Sequence, residues 1–88
     1  FDFGIIGCGG LDENMGILDF DPEEAAISRV IIEQSRNTVL VCDQHKWGRK
    51  AMARVKPFSH INQFVTDAVT DKQAALLQQH NVTLNLID

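Results

Sequence analysis

The residues best suited to bind a ligand lie in the segment 38–55, TVLVCDQHKWGRKAMARV, where an apolar run ends in an acid and opens into a basic loop. Asp43 and Lys46 can form a polar contact pair, and His45 is a general base, a hydrogen-bond donor to a ligand or a solvated loop residue. Open α/β sheets bind ligands at the carboxyl ends of their strands. We therefore expect these side chains at such an end.

A dense group of cations surrounds this loop and predicts a small anion pocket. The group comprises five cations within eleven residues: Lys46, Arg49, Lys50, Arg54 and Lys56. The four cations after Lys46 are also typical of a solvated face.

Three glycines, Gly7, Gly9 and Gly10, follow the first apolar run. A dinucleotide fingerprint needs another glycine at position 12, where this chain has Asp12. Glycines at a strand end either let the backbone approach a ligand or allow a tight turn with positive φ. Both interpretations stay open.

Two aspartates precede the first predicted helix. Asp21 is placed to cap that helix, with Pro22 at its first position and Glu24 as the capping-box partner. This role leaves Asp19 to accept hydrogen bonds from the hydroxyl groups of a polyol.

Other chemistries lack their residues in a recognisable arrangement. No serine is spaced with histidine as in a nucleophilic site, and Asp43, His45 and His60 do not have convincing metal-ligand spacing. Cys8 and Cys42 form no CxxC pair, so they are interpreted as small core residues in a reducing compartment. We expect no cofactor and no metal.

The elements that position these residues alternate between strand and helix. The pattern predicts an α/β fold with a parallel sheet flanked by helices. Apolar runs predict strands at 3–6, 38–42, 63–66 and 82–87, with an extended piece at 17–20. Helices are predicted from Pro22 to about Ser35, with one apolar face (Ala26, Ile27, Val30, Ile31), and from Thr70 or Asp71 to Gln79. A polar turn at 11–16 and a short irregular helix at 48–55 complete the prediction.

Size and charge restrict the function. The chain has 88 residues and a net charge of −4, with eight acids and one base in residues 1–33. This balance argues against DNA binding by these residues. No run reaches the roughly 18 apolar residues that span a bilayer, and no signal peptide is evident, so we expect a cytoplasmic protein without membrane contact. Because the sequence starts on an apolar run, we expect it to be part of a longer protein.

Three segments together resemble a known family: FDFGIIGCGGLDENMGILDFDPEEAAISRVII, VLVCDQHKWGRKAMARV and INQFVTD. They resemble the distal half of the effector-sensing domain of DeoR family transcriptional repressors, over essentially the whole chain. The resemblance is closest to the glycerol-3-phosphate regulon repressors, whose D-x-x-K-[FW]-G-R loop is matched by Asp43, Lys46, Trp47, Gly48 and Arg49.

The resemblance implies a sensor for a phosphorylated sugar or polyol, attached to an N-terminal winged helix-turn-helix that reads operator DNA and is absent from this chain. It also implies a fold similar to part of ribose-5-phosphate isomerase and glucosamine-6-phosphate deaminase. The implied ligand contacts are Gly7, Gly9 and Gly10 as a wall, Asp19 and Asp21 near hydroxyl groups, and Asp43, His45 and Lys46 as polar contacts. The family's D-x-G-T-T phosphate turn lies in the proximal half of the sensor, which this chain lacks.

The sequence leaves two alternatives to a binding module. The alternative function is an isomerase-like enzyme. The isomerases carry D-G-A-D-E where this chain has Ile6 to Gly10, and the absence of these catalytic acids argues against that alternative. A second alternative is an interaction fragment whose apolar sheet edges pair between chains. We expect a homo-oligomer.

Overall fold

The computed structural model describes residues 2–49, 51 and 53–87. Within them, three strands precede the first α-helix, three lie between the two α-helices and one follows the second. The strands are β1 (Phe3–Ile6), β2 (Gly10–Asp12), β3 (Gly16–Asp19), β4 (Asn37–Val41), β5 (Ala53–Lys56), β6 (Gln63–Thr66) and β7 (Thr83–Leu86). The helices are α1 (Pro22–Gln34) and α2 (Asp71–Gln79), and single 3-10 turns occupy Gln44–Lys46 and Phe58–His60.

The main sheet confirms the predicted α/β class. Its strand order is β1-β4-β6-β7, and every neighbouring pair is parallel. Alternate side chains of β4 and β6 face a core that includes the fully buried Leu40 and Phe64, together with Leu77 of α2. The predicted strands therefore all exist: two have the predicted bounds, and the bounds of the others differ by one residue at each end.

A second sheet was not predicted. Strands β2, β3 and β5 form an antiparallel three-stranded sheet. The predicted turn at 11–16 is shorter, because Gly10–Asp12 pairs with Gly16–Leu18. The Asp12 carboxylate closes the turn by accepting the backbone N–H groups of Asn14 and Met15, both at 2.8 Å.

The predicted irregular helix at 48–55 is wrong. Ala53–Lys56 is instead a strand that pairs with β3, and residues 50 and 52 lie outside the described part of the chain. Val55 is buried between the exposed Arg54 and the half-buried Lys56, an alternation with a period of two that indicates a strand. This short alternation was obscured by the basic residues around it.

Both helix starts were predicted correctly, but one capping partner was not. The Asp21 side chain accepts the backbone N–H of Glu23 at 2.9 Å, as expected for the cap of α1. The Asp21 backbone N–H, however, donates to Asp19 at 3.2 Å, so Glu24 does not fill the capping-box role. In α2 the cap is Thr70, and Gln73 completes a capping box with hydrogen bonds of 3.0 and 3.1 Å.

The inward face of α1 differs from the predicted one. Ala25, Ser28 and Ile32 are buried, whereas Ile27 and Val30 are each 54% exposed. The helix is apolar over more than one face, so spacing alone did not identify the side that packs on the sheets.

Cys8 and Cys42 lie at the ends of the adjacent strands β1 and β4. They belong to or pack against the core, as predicted. They are also joined by a disulfide, with Cα atoms 6.5 Å apart, a pairing that their interpretation as small core residues does not include. Their separation of 34 positions continues the β1-β4 register, in which Phe3 pairs with Asn37.

Candidate functional site

The candidate site is a cavity at the carboxyl ends of β4 and β6. These strands are neighbours in the sheet, with Val41 opposite Val65, so the residues that follow them lie side by side. The cavity has a volume of about 310 Å³, and its lining residues are Val41, Cys42, Asp43, Lys46, Val65, Asp67 and Ile87. Its walls are thus largely apolar, and its charged groups are two carboxylates and one ammonium group.

Asp43 connects β4 to the 3-10 turn that carries Lys46. Its carboxylate Oδ1 accepts the backbone N–H of His45 at 2.8 Å, which caps this turn. The turn is closed by the backbone N–H of Lys46, which donates to the Asp43 carbonyl at 3.3 Å. This local geometry brings Asp43 and the half-buried Lys46 to the same cavity.

Asp67 is the residue of this site that sequence reasoning missed. Its carboxylate accepts the Gln44 backbone N–H at 2.8 Å and the Gln44 side-chain amide at 3.2 Å. The backbone hydrogen bond from Gln44 is the main cause that lowers the pKa of Asp67 below its ordinary value, against a smaller opposing effect of desolvation. The available signal was that Asp67, like Asp43, is an acid directly after a buried strand.

Trp47 fixes the far end of the loop. Its ring packs on Phe58 and Phe64, with ring centroids 5.6 and 6.1 Å away. The backbone N–H of Gly48 donates to the Leu11 carbonyl at 2.9 Å. Trp47 therefore anchors the loop to the core and to β2, and it is not among the residues that line the Asp43-Lys46 cavity.

The predicted cluster of cations is dispersed in the structure. Lys56 forms an ion pair of 3.1 Å with Glu33, and the Arg54 guanidinium Nε donates to the Met15 carbonyl at 2.9 Å. Lys50 lies outside the described residues. Among the described cations of the cluster, Lys46 lines the cavity, so the loop does not form the expected many-cation anion pocket.

The glycines after β1 serve different purposes. A Cβ atom at Gly9 would lie 2.8 Å from the Phe20 ring, and one at Gly10 would collide with the Arg49 carbonyl oxygen. These two glycines therefore allow close packing of the chain on itself. Gly7 is exposed at the strand end, where a Cβ atom would only make ordinary contact with the Val41 carbonyl oxygen.

The remaining predicted contacts lie outside the cavity wall. Asp19 and Asp21 form the approach to α1, where their carboxylates accept backbone N–H groups at 3.2 and 2.9 Å. His45 is exposed and does not line the cavity. The structure thus brings Asp43 and Lys46 together and adds Asp67.

Two features are absent from the described residues. They contain no cluster of three or more His, Cys, Asp or Glu side chains arranged to hold a metal ion. Within the same ranges, neither helix has the length and apolar character required to cross a bilayer.

Comparison with known proteins identifies related sequences. Residues 1–68 match the family model described as the DeoR C-terminal sensor domain. The chain is 38% identical over 86 residues to the glycerol-3-phosphate regulon repressor of Escherichia coli (strain K12), covering 97% of this chain and 34% of that protein. It is 35% identical over 85 residues to the repressor of the same name from Haemophilus influenzae, covering 97% of this chain and 33% of that protein.

A weaker similarity extends to a further transcriptional regulator. The HTH-type transcriptional regulator GlpR of Haloferax volcanii is 30% identical over 71 residues, which cover 81% of this chain and 28% of that protein. The chain therefore spans about a third of the length of the curated relatives that it matches.

Proposed function

Because the chain belongs to the DeoR C-terminal sensor domain family, we propose that it is the effector-sensing part of a transcriptional repressor of glycerol or carbohydrate metabolism. The relatives that support this proposal are named as transcriptional repressors or regulators. In such a protein the effector favours the conformation that binds operator DNA weakly.

The proposed effector is a phosphorylated sugar or polyol, with glycerol 3-phosphate as the first compound to test. The observation that carries this proposal is the presence of Asp43 and Lys46 in one cavity at the strand ends. A lysine ammonium group can bind a phosphate or hydroxyl oxygen. Oδ1 of Asp43 accepts a hydrogen bond from the His45 N–H group, and the other carboxylate oxygen is suited to accept a hydrogen bond from a hydroxyl group of the ligand.

We place residues 1–88 in the C-terminal portion of the sensor and assign operator binding to a domain outside this sequence. The acidic balance of this chain, with a net charge of −4, supports that division of roles. The proposal further assigns the remaining ligand contacts, including the main phosphate-binding turn, to the proximal half of the sensor. We also propose a cytoplasmic homo-oligomer without membrane contact.

An exposed apolar surface supports the presence of a covering segment. This apolar edge surface consists of Phe3 and Ile5 on β1, which are 66 and 71% exposed. Because Gly4 faces α1, these two side chains lie on the other face of the sheet from Ile27 and Val30 of α1, which are each 54% exposed. Within the described residues β1 pairs only with β4, so one side of β1 is an open sheet edge. Parallel sheets are normally covered on both faces and continued at such edges.

The family consists of sensors rather than enzymes, and the comparisons give no support to an isomerase activity. The sequence provides a chemical reason for expecting no isomerase activity. The segment Ile6 to Gly10 carries no acid at the position where the isomerases have catalytic carboxylates. The scaffold is therefore suited to bind a sugar phosphate without turning it over.

The test uses the full protein that contains this chain. Replacing Lys46 by Ala is expected to raise about tenfold the glycerol 3-phosphate concentration at which half of the operator DNA is released. The reason is that one hydrogen bond to a charged group contributes about a factor of ten in affinity. Operator affinity without effector should remain unchanged. Fluorescence anisotropy of labelled operator DNA measures both quantities.

Lys72→Ala is the matched control, because Lys72 is an exposed lysine whose ion pair is with Glu13 on the surface. This control should leave the release curve unchanged. A Lys46→Ala curve that coincides with the unmodified protein would contradict the proposed site. Thermal shifts with a panel of sugar and polyol phosphates would then identify the effector class independently.

A further inference from the structure

We infer that Asp67 is a positioning residue for effector binding, which holds the turn Asp43–Lys46 so that Lys46 faces the cavity. This inference rests on the proposed function of that cavity. Asp67 follows β6, whereas the turn follows β4, so the contact joins the ends of two neighbouring strands. It thereby links the orientation of a ligand-binding turn to the sheet.

The contact between Asp67 and Gln44 is bidentate. Oδ1 of Asp67 accepts the Gln44 backbone N–H at 2.8 Å, and Oδ2 accepts the Gln44 side-chain amide at 3.2 Å. Gln44 is the first residue of the 3-10 turn and lies two positions before Lys46. A displacement of Gln44 would therefore be transmitted directly to the lysine.

The distribution of donors around Asp67 supports a positioning role. Besides the Gln44 backbone N–H, Oδ1 accepts the Ala68 backbone N–H at 3.0 Å and the Thr66 hydroxyl at 3.3 Å, whereas among the described residues Oδ2 accepts only the Gln44 side-chain amide. Each carboxylate oxygen has about two lone-pair sites, so the oxygen that holds the turn is fully occupied. The same hydrogen bonds lower its pKa and keep it ionised.

The other end of the loop is already fixed. Gly48 donates to Leu11 at 2.9 Å, and the Trp47 ring packs against Phe58 and Phe64. Asp67 clamps the beginning of the turn, and Trp47 with Gly48 clamps its end. Lys46 lies between these two points and lines the cavity.

A swap of the two side chains tests this role in the full protein that contains the chain, with glycerol 3-phosphate as the probe. Asp67→Ala should raise the concentration for half-release of operator DNA about tenfold, because a charged clamp is lost. Gln44→Glu should have a similar effect, because two carboxylates then face each other. The double variant Gln44→Glu/Asp67→Asn restores a donor-acceptor pair and should return the value to within about threefold.

The measurements separate the possible outcomes. A variant that is merely unfolded is recognised by a loss of operator affinity without effector and by a lower thermal midpoint of the unliganded protein. If a single variant is unfolded, the release curve of the double variant tests the role of Asp67. Asp71→Ala, which removes another exposed aspartate, should leave the release curve unchanged.

If Lys46→Ala weakens the effector response but the double variant does not recover it, the role of Asp67 is overturned and the proposed site remains. Direct ligand contact by Asp67 would give that same failure of the swap, because the charge at position 67 is lost. If Lys46→Ala has no effect, the proposed effector site itself is overturned.

Discussion

At the scale of single residues, two glycines with positive φ differ in the space around them. Gly16 has φ of 90°, and a Cβ atom there would lie 2.7 Å from the Lys56 carbonyl oxygen and 2.8 Å from the Pro57 Cα. Gly48 has φ of 79°, but a Cβ atom there would meet nothing within 4 Å. The two positions therefore separate the cost of backbone conformation from the cost of crowding.

We predict that Gly16→Ala lowers the free energy of unfolding by about 3 kcal/mol, as the sum of left-handed strain and overpacking against backbone atoms. Gly48→Ala should cost only about 1 kcal/mol, because the strain acts alone. Denaturant unfolding of the full protein measures both values. Equal losses for the two variants would show that crowding at Gly16 is relieved by a shift of β5.

The candidate site was partly predictable from individual residues. Asp43 and Lys46 were identified because an acid and a lysine follow an apolar strand, and the structure places both in one cavity. Asp21 caps α1, as its position before Pro22 predicts, and Asp19, which is expected to contact a ligand hydroxyl group, accepts the Asp21 backbone N–H through Oδ1. The sequence does not state whether a carboxylate faces a ligand or the chain itself.

At the scale of elements, the start of α2 is the most fully specified local structure. The Thr70 hydroxyl accepts the Gln73 N–H at 3.1 Å, and the Gln73 side chain accepts the Thr70 N–H at 3.0 Å. This reciprocal pair depends only on residues three positions apart. The helix boundary was accordingly predictable from the sequence.

Thr70→Ala is expected to lower the free energy of unfolding by about 1 kcal/mol, because the first turn of α2 loses its acceptor. Thr70→Ser keeps the hydroxyl and serves as the control, with an expected loss near zero. Thermal or denaturant unfolding of the full protein gives the comparison. A serine variant as unstable as the alanine variant would assign the loss to the threonine methyl group instead.

The face that α1 buries could not be predicted in the same way. Its apolar residues extend over several faces, and the observed choice of Ala25, Ser28 and Ile32 depends on how the helix meets two sheets. Gly4 permits this approach, since a Cβ atom there would lie 2.6 Å from the Ile31 side chain. The partner of a helix is a long-range property.

At the scale of the whole molecule, the parallel sheet carries the cavity, and the antiparallel sheet supports the loop beside it. Leu11 of β2 accepts the Gly48 N–H at 2.9 Å, which connects the two sheets at the loop. The apolar edge surface lies on β1, in line with our proposal that a further part of the sensor covers it.

We predict that the isolated 88-residue chain self-associates through the apolar edge surface. Ile5, on the β1 edge strand, is 71% exposed, so Ile5→Lys should reduce the associated fraction at least severalfold by adding charge to the open strand. Size-exclusion chromatography with light scattering measures the mass distribution.

Met15→Lys is the control for this comparison, because Met15 is 47% exposed on the hairpin turn of the other sheet. It should leave the distribution unchanged. A monodisperse monomer of the unmodified chain at high concentration would contradict the prediction.

The parallel strands, the two helix starts and the Asp43-Lys46 pair could be predicted from the amino-acid sequence, because they depend on local periodicity, capping and residues close together in the chain. The antiparallel sheet, the buried face of α1 and the place of Asp67 beside Gln44 could be found only in the folded chain. These features bring together residues far apart in the sequence, such as Gln44 and Asp67, which lie 23 positions apart. Strand pairing sets such distances, and local patterns contain no information about which strands become neighbours.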